Sequence, residues 1–350
     1  MKKPFDALPW RKSPLALGLD IGSANVKLVE LKLEEGNYKL VKLALHPLPQ
    51  GAMPQRGIIK VDEVCNVVNS LLKDQGLRNR KVAVAIAGHA VIVKRLLLPS
   101  VKAEEAMDVL KVEIQRYIPD VEGVNFDYHI LSEKPEGTEL LLVAARKDVV
   151  NNYLKLFDNC DAQLSILDID LFALQNAFEV NYPYELDNVV ALCDIGATVM
   201  SILVTKGGEC LFARDVAVGG NMFTEEIQKE LGVGYEEAEL LKYRAAAEDS
   251  PKLRKVLERV SRTVALEIAK SLDFFLAAYP NTRIQKLYLT GGASKLYGLS
   301  TTIAERTGLE VEAFNPFNNL LIDADRFPLD YLREMAPFSA VAVGLALRRV

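Results

Sequence analysis

The sequence predicts an α/β fold made of two similar lobes, with a small α+β subdomain inserted into the first lobe. The main observation is a repeat: residues 17–31 read LGLDIGSANVKLVEL, and residues 191–204 read ALCDIGATVMSILV. The two aspartates, Asp20 and Asp194, are 174 positions apart (194 − 20), about half of the 350-residue chain. A repeat at this spacing indicates a duplicated domain with one site between the copies. The second observation is a change of pattern in residues 82–161, which predicts the insertion.

Composition narrows the classes of function. The chain carries 42 basic and 47 acidic residues, a net charge of −5, which argues against an electrostatic grip on nucleic acid or anionic lipid. No apolar run approaches the roughly 20 residues that a membrane-spanning helix needs. The N-terminal segment does not resemble a signal peptide. The four cysteines and three histidines show no metal-ligand spacing, so reduced thiols without a zinc site are expected.

Lobe one is expected to begin with three strands in residues 15–46. The segment 26–33 reads VKLVELKL, and its alternation predicts a strand with one wet face. Residues 48–57 form a Pro/Gly loop. Residues 61–72 have helical spacing, with an apolar stripe on one face. Residues 165–178 read SILDIDLFALQNAF, which predicts a buried strand followed by a helix.

The insertion combines strands and helices in a compact order. The predicted elements are a strand at 82–98, a helix at 102–117, strands at 124–131 and 139–145, and a helix at 147–158. Pro119 is expected to end the first of these helices, because proline cannot continue a helix.

Lobe two repeats the strand pattern of lobe one and then becomes helical. The predicted elements are strands at 189–193, 198–205 and 209–217, a helix starting near Thr224, a helical block at 231–283 with a loop at 245–251, a strand at 286–290, a helix at 296–307 and a last helix at 338–349.

These elements predict a domain division. The expected units are a lobe-one core at 13–81 and 162–187, the insertion at 82–161, a lobe-two core at 188–230 and 284–350, and a helical subdomain of lobe two at 231–283.

The repeated hairpins suggest a chemistry. A strand–turn–strand with Gly and Ser or Thr at its tip presents bare backbone N–H groups, which suit a phosphate. The aspartate just before each tip, Asp20 or Asp194, can hold a hydrated Mg²⁺, which prefers carboxylate and water oxygens. Two such hairpins facing each other would hold a nucleoside triphosphate from both sides.

The hairpins and a later strand–Gly-Gly-Ala-Ser–helix segment together resemble the actin/Hsp70/sugar-kinase superfamily, with its ribonuclease-H-like fold. The resemblance implies ATP and Mg²⁺ as ligands, with Asp20 and Asp194 holding the metal through water. It also implies a Glu and a Lys one helical turn apart near the ribose and base, and Glu239 and Lys242 match this pattern. The alternative interpretation of this pair is a solvated helix face. Lys27 either faces the phosphates or is an exposed strand lysine. The implied phosphate and adenosine motifs match Asp20, Gly22, Ser23 and Ala24, then Asp194, Gly196, Ala197 and Thr198, then Gly291, Gly292, Ala293 and Ser294.

Within this superfamily the chain is similar to the family of the type IV pilus assembly protein PilM, relatives of the division protein FtsA. The similarity rests on LGLDIGSANVKLVEL, DIGAT and VAVGGNMFTEEI, covers residues 14–350 and includes an FtsA-type insertion. It implies a cytoplasmic ATP-binding adaptor of the pilus platform, peripheral to the inner membrane through a partner. The implied partner is the cytoplasmic tail of a PilN-like membrane protein. Contacts with the pilus motor ATPases are a further implication, and self-association stays open.

Hydrolysis is the least defined expectation. The family pattern places a water-orienting residue at Asp170, with Asp168 beside it, and helix capping by Asp170 is the alternative. Ala197 stands where many relatives have a second glycine, so slow or no turnover is expected. The alternative functions are an FtsA-like division or filament protein and a small-molecule kinase of the same superfamily. No role is predicted for Trp10.

Overall fold

The computed structural model describes residues 15–53, 60–86, 88–99, 101–118, 120–244 and 250–350. Trp10, Pro119 and parts of the predicted loops at 48–57 and 245–251 lie outside these residues. In chain order the strands are β1 (Leu17–Ile21), β2 (Asn25–Glu34), β3 (Asn37–Pro47), β4 (Arg80–Ile86), β5 (Val91–Pro99), β6 (Val124–Lys134), β7 (Gly137–Arg146), β8 (Ala162–Ile169), β9 (Val190–Ile195), β10 (Met200–Lys206), β11 (Glu209–Val216), β12 (Lys286–Thr290) and β13 (Glu310–Ala313). The α-helices are α1 (Val61–Asp74), α2 (Ala106–Glu113), α3 (Lys147–Asn159), α4 (Asp170–Asn181), α5 (Gly220–Leu231), α6 (Tyr235–Arg244), α7 (Pro251–Ala278), α8 (Leu299–Thr307) and α9 (Leu329–Ala346).

The two lobes contain sheets of the same topology. The lobe-one sheet has the order β3-β2-β1-β4-β8, and the lobe-two sheet has the order β11-β10-β9-β12-β13. In each sheet the first three strands are antiparallel and the last three are parallel. The registers also agree. In each hairpin the aspartate pairs with the residue seven positions later: Asp20 pairs with Lys27, and Asp194 pairs with Ser201. The duplication predicted from the repeated hairpins is therefore present at the level of strand order, direction and register.

The insertion is smaller than the predicted range 82–161. Its three-stranded sheet has the order β5-β7-β6 and carries helix α2. The predicted single strand at 82–98 is wrong: Gly88, with φ +77, separates β4 in the lobe-one sheet from β5 in the insertion. Helix α3 also belongs with lobe one, because its buried face packs in the same apolar cluster as α1.

The last helix differs from its prediction in two ways. Helix α9 begins at Leu329, directly after the N-cap residue Pro328, rather than at residue 338, and Pro337 lies inside it. It also packs across the sheet of lobe one, although the predicted division assigned 284–350 to lobe two. The approach is so close that a Cβ added to Gly18 of β1 would overlap the carbonyl oxygen of Ala342.

Where the structure describes it, the predicted helical block at 231–283 contains helices α6 and α7, joined to the neighbouring elements by short irregular segments. The long helix α7 starts after Ser250, whose Oγ accepts a hydrogen bond from Leu253 N at 3.3 Å, and Pro251 occupies the first helical position. Both features favour a helix start at this point. Helix α7 packs against α5 and α8 on the lobe-two sheet. Within the described residues, no helix is both long and apolar enough to cross a membrane.

The four cysteines are buried or half-buried. Cys65, Cys193 and Cys210 are buried, and all four cysteines are free. Burial raises the pKa of the Cys193 thiol, and it raises the pKa of Cys210 to about 12. These thiols therefore stay protonated at neutral pH and act as small apolar groups.

Candidate functional site

The two Asp-Ile-Gly hairpins lie at one cleft between the lobes. The first joins β1 to β2, and the second joins β9 to β10. Gly22 N donates to Asn25 O at 3.0 Å, and Gly196 N donates to Val199 O at 3.0 Å. The sequence repeat is thus a repeat of turn geometry, with the same backbone hydrogen bond in each copy.

The cleft has a volume of about 630 Å³ and is lined from both lobes. Asp20, Asp194 and Gly291 line a smaller cavity of about 30 Å³ beside it, and Lys27, Gly196 and Gly292 line both. Most of the residues predicted from the sequence therefore meet at one place. Those that line the cleft itself are Gly22, Ser23, Ala24, Lys27, Gly196, Ala197, Thr198, Glu239, Lys242, Gly292 and Ala293.

The hairpin tips are joined across the cleft. Ser23 Oγ and Thr198 Oγ1 lie 2.8 Å apart, and either hydroxyl can be the donor. Ser23 belongs to lobe one and Thr198 to lobe two, so this hydrogen bond connects the lobes at the point where the two turns meet.

Asp20 and Lys27 form an ion pair at the floor of the cleft. Lys27 Nζ lies 2.9 Å from Asp20 Oδ2, and the two side chains are 12% and 9% exposed. The pair follows from the strand register, since these residues are directly opposite each other in β1 and β2. The alternative of an exposed strand lysine is therefore wrong.

The Gly-Gly-Ala-Ser segment forms a tight turn after β12. Gly291 has φ +88, and a Cβ added there would overlap the carbonyl oxygen of Ile195 in the second hairpin. At Gly292 an added Cβ would lie 2.7 Å from the ring of Phe338. Ser294 lines neither cavity; its Oγ donates to Gly291 O at 2.7 Å and so stabilises the turn.

Glu239 and Lys242 form a network on the lobe-two side of the cleft. Lys242 is only 3% exposed, and its Nζ donates to Glu239 Oε1 at 2.5 Å and to Thr224 Oγ1 at 2.8 Å. Thr224 also donates to Glu239. Burial lowers the pKa of Lys242, and the hydrogen bond to Glu239 opposes that shift. A solvated helix face, the alternative for this pair, is wrong for Lys242.

Helix α5 contributes residues that the sequence analysis missed. Its first N–H groups bond to the second hairpin, with Gly220 N donating to Gly196 O at 2.9 Å and Asn221 N donating to Ala197 O at 2.8 Å. A Cβ added to Gly219 would lie 2.5 Å from Ala197 O. The close contact with the hairpin explains why glycine stands at position 219.

Aromatic side chains form another part of the wall. Tyr235 and Tyr243 line the cleft beside Lys242, whose Nζ lies 5.1 Å from the centre of the Tyr243 ring. Burial raises the pKa of Tyr243 to about 12, so its hydroxyl is neutral. Phe338 also lines the cleft. Isolated aromatic residues in helices gave no sequence signal, because core packing uses the same residue types.

Asp170 does not line the cleft or the small cavity beside it. It is 4% exposed and is the first residue of α4, directly after the N-cap residue Ile169. Its neighbour Asp168 accepts a hydrogen bond from Arg348 Nε at 2.6 Å, which ties the end of β8 to the C-terminal segment.

A separate groove of about 570 Å³ lies between the insertion and lobe one. Its apolar walls come from β4, β6, β7, β8, α3 and α4, and four polar side chains, Asn125, Asp127, His129 and Asp168, lie among them. The apolar side chains are Ile86, Phe126, Tyr128, Leu141, Val143, Ala145, Val150, Leu167, Ile169 and Phe172.

The chain matches a known protein family over almost its whole length. The family model described as type IV pilus assembly protein PilM matches residues 18–350. The cell division protein FtsA of Bacillus subtilis is 23% identical over 255 residues, which cover 65% of this chain. The match spans 57% of the FtsA chain.

Solved structures agree with these matches. A PilM–PilN type IV pilus biogenesis complex has a chain with a TM-score of 0.85 and 29% identity, covering 95% of this chain and 98% of that one. MreB 5 of Spiroplasma citri, solved with AMPPNP, has a TM-score of 0.50 and 14% identity, with 95% of each chain covered, and shows the shared fold alone. The predicted bilobed actin-like fold is confirmed.

Proposed function

The chain belongs to the family of the type IV pilus assembly protein PilM, and from that premise we propose that it is a cytoplasmic ATP-binding adaptor of the pilus assembly platform. One observation supports nucleotide binding. Both hairpin tips, the Gly292 turn and the Glu239–Lys242 network line the same cleft of about 630 Å³. A single hairpin of this kind is common, but two facing hairpins with a third glycine turn are suited to a long anionic ligand.

The residues fit a nucleotide. Gly22 and Gly196 leave backbone close to the cleft without side chains, and hydroxyls and N–H groups are the donors that phosphate oxygens require. The glycines at 219 and 291 stand where a Cβ would overlap the second hairpin, so the hairpin can pack tightly below the cleft. Glu239 and Lys242 would hold the ribose and base, while Lys27 would face the phosphates.

Magnesium fits as a hydrated ion. Among the described residues, no group of three or more His, Cys, Asp or Glu side chains could hold a metal alone. Asp20 and Asp194 line one cavity of about 30 Å³, room for a water-sized group between two carboxylates. Phosphate oxygens and water would complete the ligand set, which matches the preference of Mg²⁺ for keeping several waters.

ATP is proposed to act as a ligand rather than as a substrate with fast turnover. Asp170, the predicted water-orienting residue, lies outside the cleft lining, and Ala197 adds a methyl group at the second hairpin. Binding across the two lobes would favour one relative position of the lobes, which is how a ligand shifts a conformational equilibrium.

Calorimetric titration with Mg-ATP tests the nucleotide site. We expect Asp20→Ala to weaken Mg-dependent binding at least tenfold, because it removes a metal ligand and the partner of Lys27. Asp158→Ala, a change of the same kind on the exposed face of α3, is the matched control and should bind like the wild type. Equal affinities for the two variants would refute the assignment of Asp20.

The partner is proposed to be the cytoplasmic tail of a PilN-like inner-membrane protein. Support comes from the PilM–PilN complex, whose structure this chain resembles over 95% of its length. The groove between the insertion and lobe one is the proposed docking place, because it combines apolar walls with a few polar side chains and is open at the surface. Localisation at the inner membrane would then be indirect, through this partner.

Binding of a fluorescent tail peptide tests the groove. We expect Phe126→Ala to weaken the peptide's affinity about tenfold, the effect typical of removing an aromatic anchor at an interface. Leu154→Ala, on an exposed position of α3 outside the groove, is the control. If both variants bind the peptide like the wild type, the tail docks elsewhere. If the wild type does not bind it, the division-protein and kinase alternatives gain weight, and substrate screening follows.

A further inference from the structure

We propose that residues 1–14 of this chain dock in the groove between the insertion and lobe one and compete there with the partner tail. The competition rests on the proposed function of the groove, whereas the docking stands on its own observations. Three features support it: the composition of the segment, the place where the described residues begin, and the charge of the groove.

The segment is basic and carries large apolar side chains. Residues 1–14 read MKKPFDALPWRKSP, with four basic residues and one acidic residue in a chain whose net charge is −5. Phe5, Leu8 and Trp10 stand between the two pairs of basic residues. Aromatic side chains bury large apolar areas and are frequent anchors at interfaces. A segment of this composition suits an apolar groove whose charged residues are acidic.

The described residues begin beside one wall of the groove. Leu15 forms a β-bridge with Arg349, and Ala16 N donates a hydrogen bond to Arg348 O at 2.7 Å. Arg348 Nε in turn donates at 2.6 Å to Asp168, which lines the groove. One arginine side chain therefore spans the distance from the first described residues to the groove. A segment of 14 residues, at about 3.3 Å per residue when extended, is long enough to lie along it.

The groove matches the segment in charge. Its described lining residues include two carboxylates, Asp127 and Asp168, and no lysine or arginine. Asp168 already pairs with Arg348, whereas Asp127 is exposed on β6 and open to a basic side chain. Two grooves beside α8 on lobe two have two and three arginines in their linings, so they suit a basic segment less well.

Docking within one chain is favoured by proximity. A short linker holds the segment near the groove at an effective concentration in the millimolar range, so a Kd of about 0.1 mM for the isolated segment fills the groove in most molecules. The partner tail has to displace the segment. Its apparent affinity is therefore lowered in proportion to the fraction of molecules whose groove is open. The segment thus sets a threshold for recruitment of the chain to its partner.

The fluorescence of Trp10 tests the docking, because it is the single tryptophan of the chain. In the full-length protein we expect a blue-shifted emission and weaker quenching by acrylamide than in a free peptide of residues 1–14. Asp127→Lys should release the segment, so that emission and quenching approach those of the free peptide. Asp158→Lys, the same charge reversal on the exposed face of α3 outside the groove, should keep the emission of the wild type.

Titration with a tryptophan-free peptide of the PilN-like tail tests the competition. We expect Trp10→Ala to raise the affinity for this peptide about fivefold, because the weakened segment leaves the groove open more often. Tyr297→Ala, which removes an exposed aromatic side chain on lobe two, should bind the peptide like the wild type. A saturating amount of the peptide should also shift the Trp10 emission of the wild type to that of the released segment.

The outcomes separate this proposal from the proposed function of the groove. If Trp10 of the wild type emits like the free peptide, if Asp127→Lys leaves its emission unchanged, or if the tail binds without displacing it, the proposal is overturned. An emission that depends on protein concentration would place the segment in the groove of a second copy and would overturn it as well. If Asp127→Lys releases Trp10 but neither the wild type nor Trp10→Ala binds the tail, the docking stands and the proposed function of the groove fails.

Discussion

Gly344 of α9 packs directly on the backbone of Ala173 in α4. A Cβ added to Gly344 would overlap the carbonyl oxygen and carbonyl carbon of Ala173. Both residues are buried, and the two helices lie in the apolar region shared by the two sheets. The contact therefore fixes how closely α4, the helix that follows β8, and α9, the last helix of the chain, approach each other.

Gly344→Ala should destabilise the protein because the atoms that the new methyl group meets are backbone atoms. We expect the free energy of unfolding to fall by about 2 kcal/mol or more, even though alanine has the higher helix propensity. Urea unfolding followed by circular dichroism measures the change. Gly234→Ala is the control: an added Cβ meets nothing within 4 Å there, and the change should cost less than about 1 kcal/mol. Equal losses in the two variants would contradict the packing argument.

Glu139 connects the insertion to lobe two through an arginine. Arg95 Nε lies 2.5 Å from Glu139 Oε1, and the same guanidinium lies 3.4 Å from Glu209 Oε2 in β11. The hydrogen bond from Arg95 lowers the pKa of Glu139 from 4.5 to about 2. A carboxyl with a depressed pKa in the folded state contributes stability above its unfolded pKa and loses it as the pH falls toward the folded pKa.

Glu139→Gln should therefore have a pH-dependent effect. We expect the variant to be less stable than the wild type by about 2 kcal/mol at pH 7, with the difference shrinking as the pH falls from 4.5 toward 2. Urea unfolding of both proteins between pH 7 and pH 3 gives this difference and cancels the other titrating groups. A difference that stays constant over the whole range would show that the ion pair has no part in acid stability.

Local signals explain what the sequence predicted well. The strands of both lobes alternate in hydropathy, and the turn between β2 and β3 falls at Glu35 and Gly36, which both have positive φ. The repeated hairpins allowed most of the cleft-lining residues to be predicted, because the same short motif forms the same turn twice. These features depend on neighbours within a few residues, which a single sequence shows directly.

The errors come from features that depend on distant parts of the chain. Residues 82–98 are apolar on both sides of Gly88, so nothing local shows that the strand changes sheets there. The last helix was predicted from residue 338, but it already runs through Pro337, whose carbonyl oxygen accepts a hydrogen bond from Gly291 N at 2.8 Å. The Ser23–Thr198 contact joins residues 175 positions apart and requires the orientation of two lobes.

Lys242→Met should weaken nucleotide binding with little loss of stability. The Lys242 ammonium is buried, which lowers its pKa, and it donates hydrogen bonds to Thr224 and Glu239. Methionine fills a similar volume without the cost of burying a charge, and Glu239, at 30% exposure, keeps access to water. We expect ATP affinity to fall about tenfold in a calorimetric titration while the thermal midpoint changes by a few degrees at most.

The control for this experiment is Lys229→Met. Lys229 lies on α5, is 74% exposed and pairs only loosely with Glu226 at 3.8 Å. Its loss should leave ATP affinity unchanged. If Lys242→Met binds ATP as tightly as this control, the Glu239–Lys242 network is a packing feature of lobe two rather than part of the nucleotide site.

Asp215 of β11 connects the lobe-two sheet to the segment between β4 and β5. It pairs with Ser201, which pairs in turn with Asp194, so the three residues form a row across the lobe-two sheet. Its Oδ2 accepts a hydrogen bond from Gly88 N at 2.8 Å, two residues after Ile86 of the groove. Movement of lobe two would therefore pull on the backbone at the start of the insertion.

Asp215→Ala should uncouple the two sites because it frees Gly88 from lobe two, whereas Asp215→Asn keeps an acceptor oxygen and a similar shape. We expect a tail peptide to bind the alanine variant with the same affinity with and without Mg-ATP, while the wild type and the asparagine variant show a nucleotide-dependent difference. Fluorescence anisotropy of the labelled peptide, measured for all three proteins in both conditions, decides the point. A difference in the alanine variant as large as in the wild type would mean that closure of the lobes reaches the groove by another route, and the contact of Asp215 with Gly88 would then serve only to hold the insertion in place.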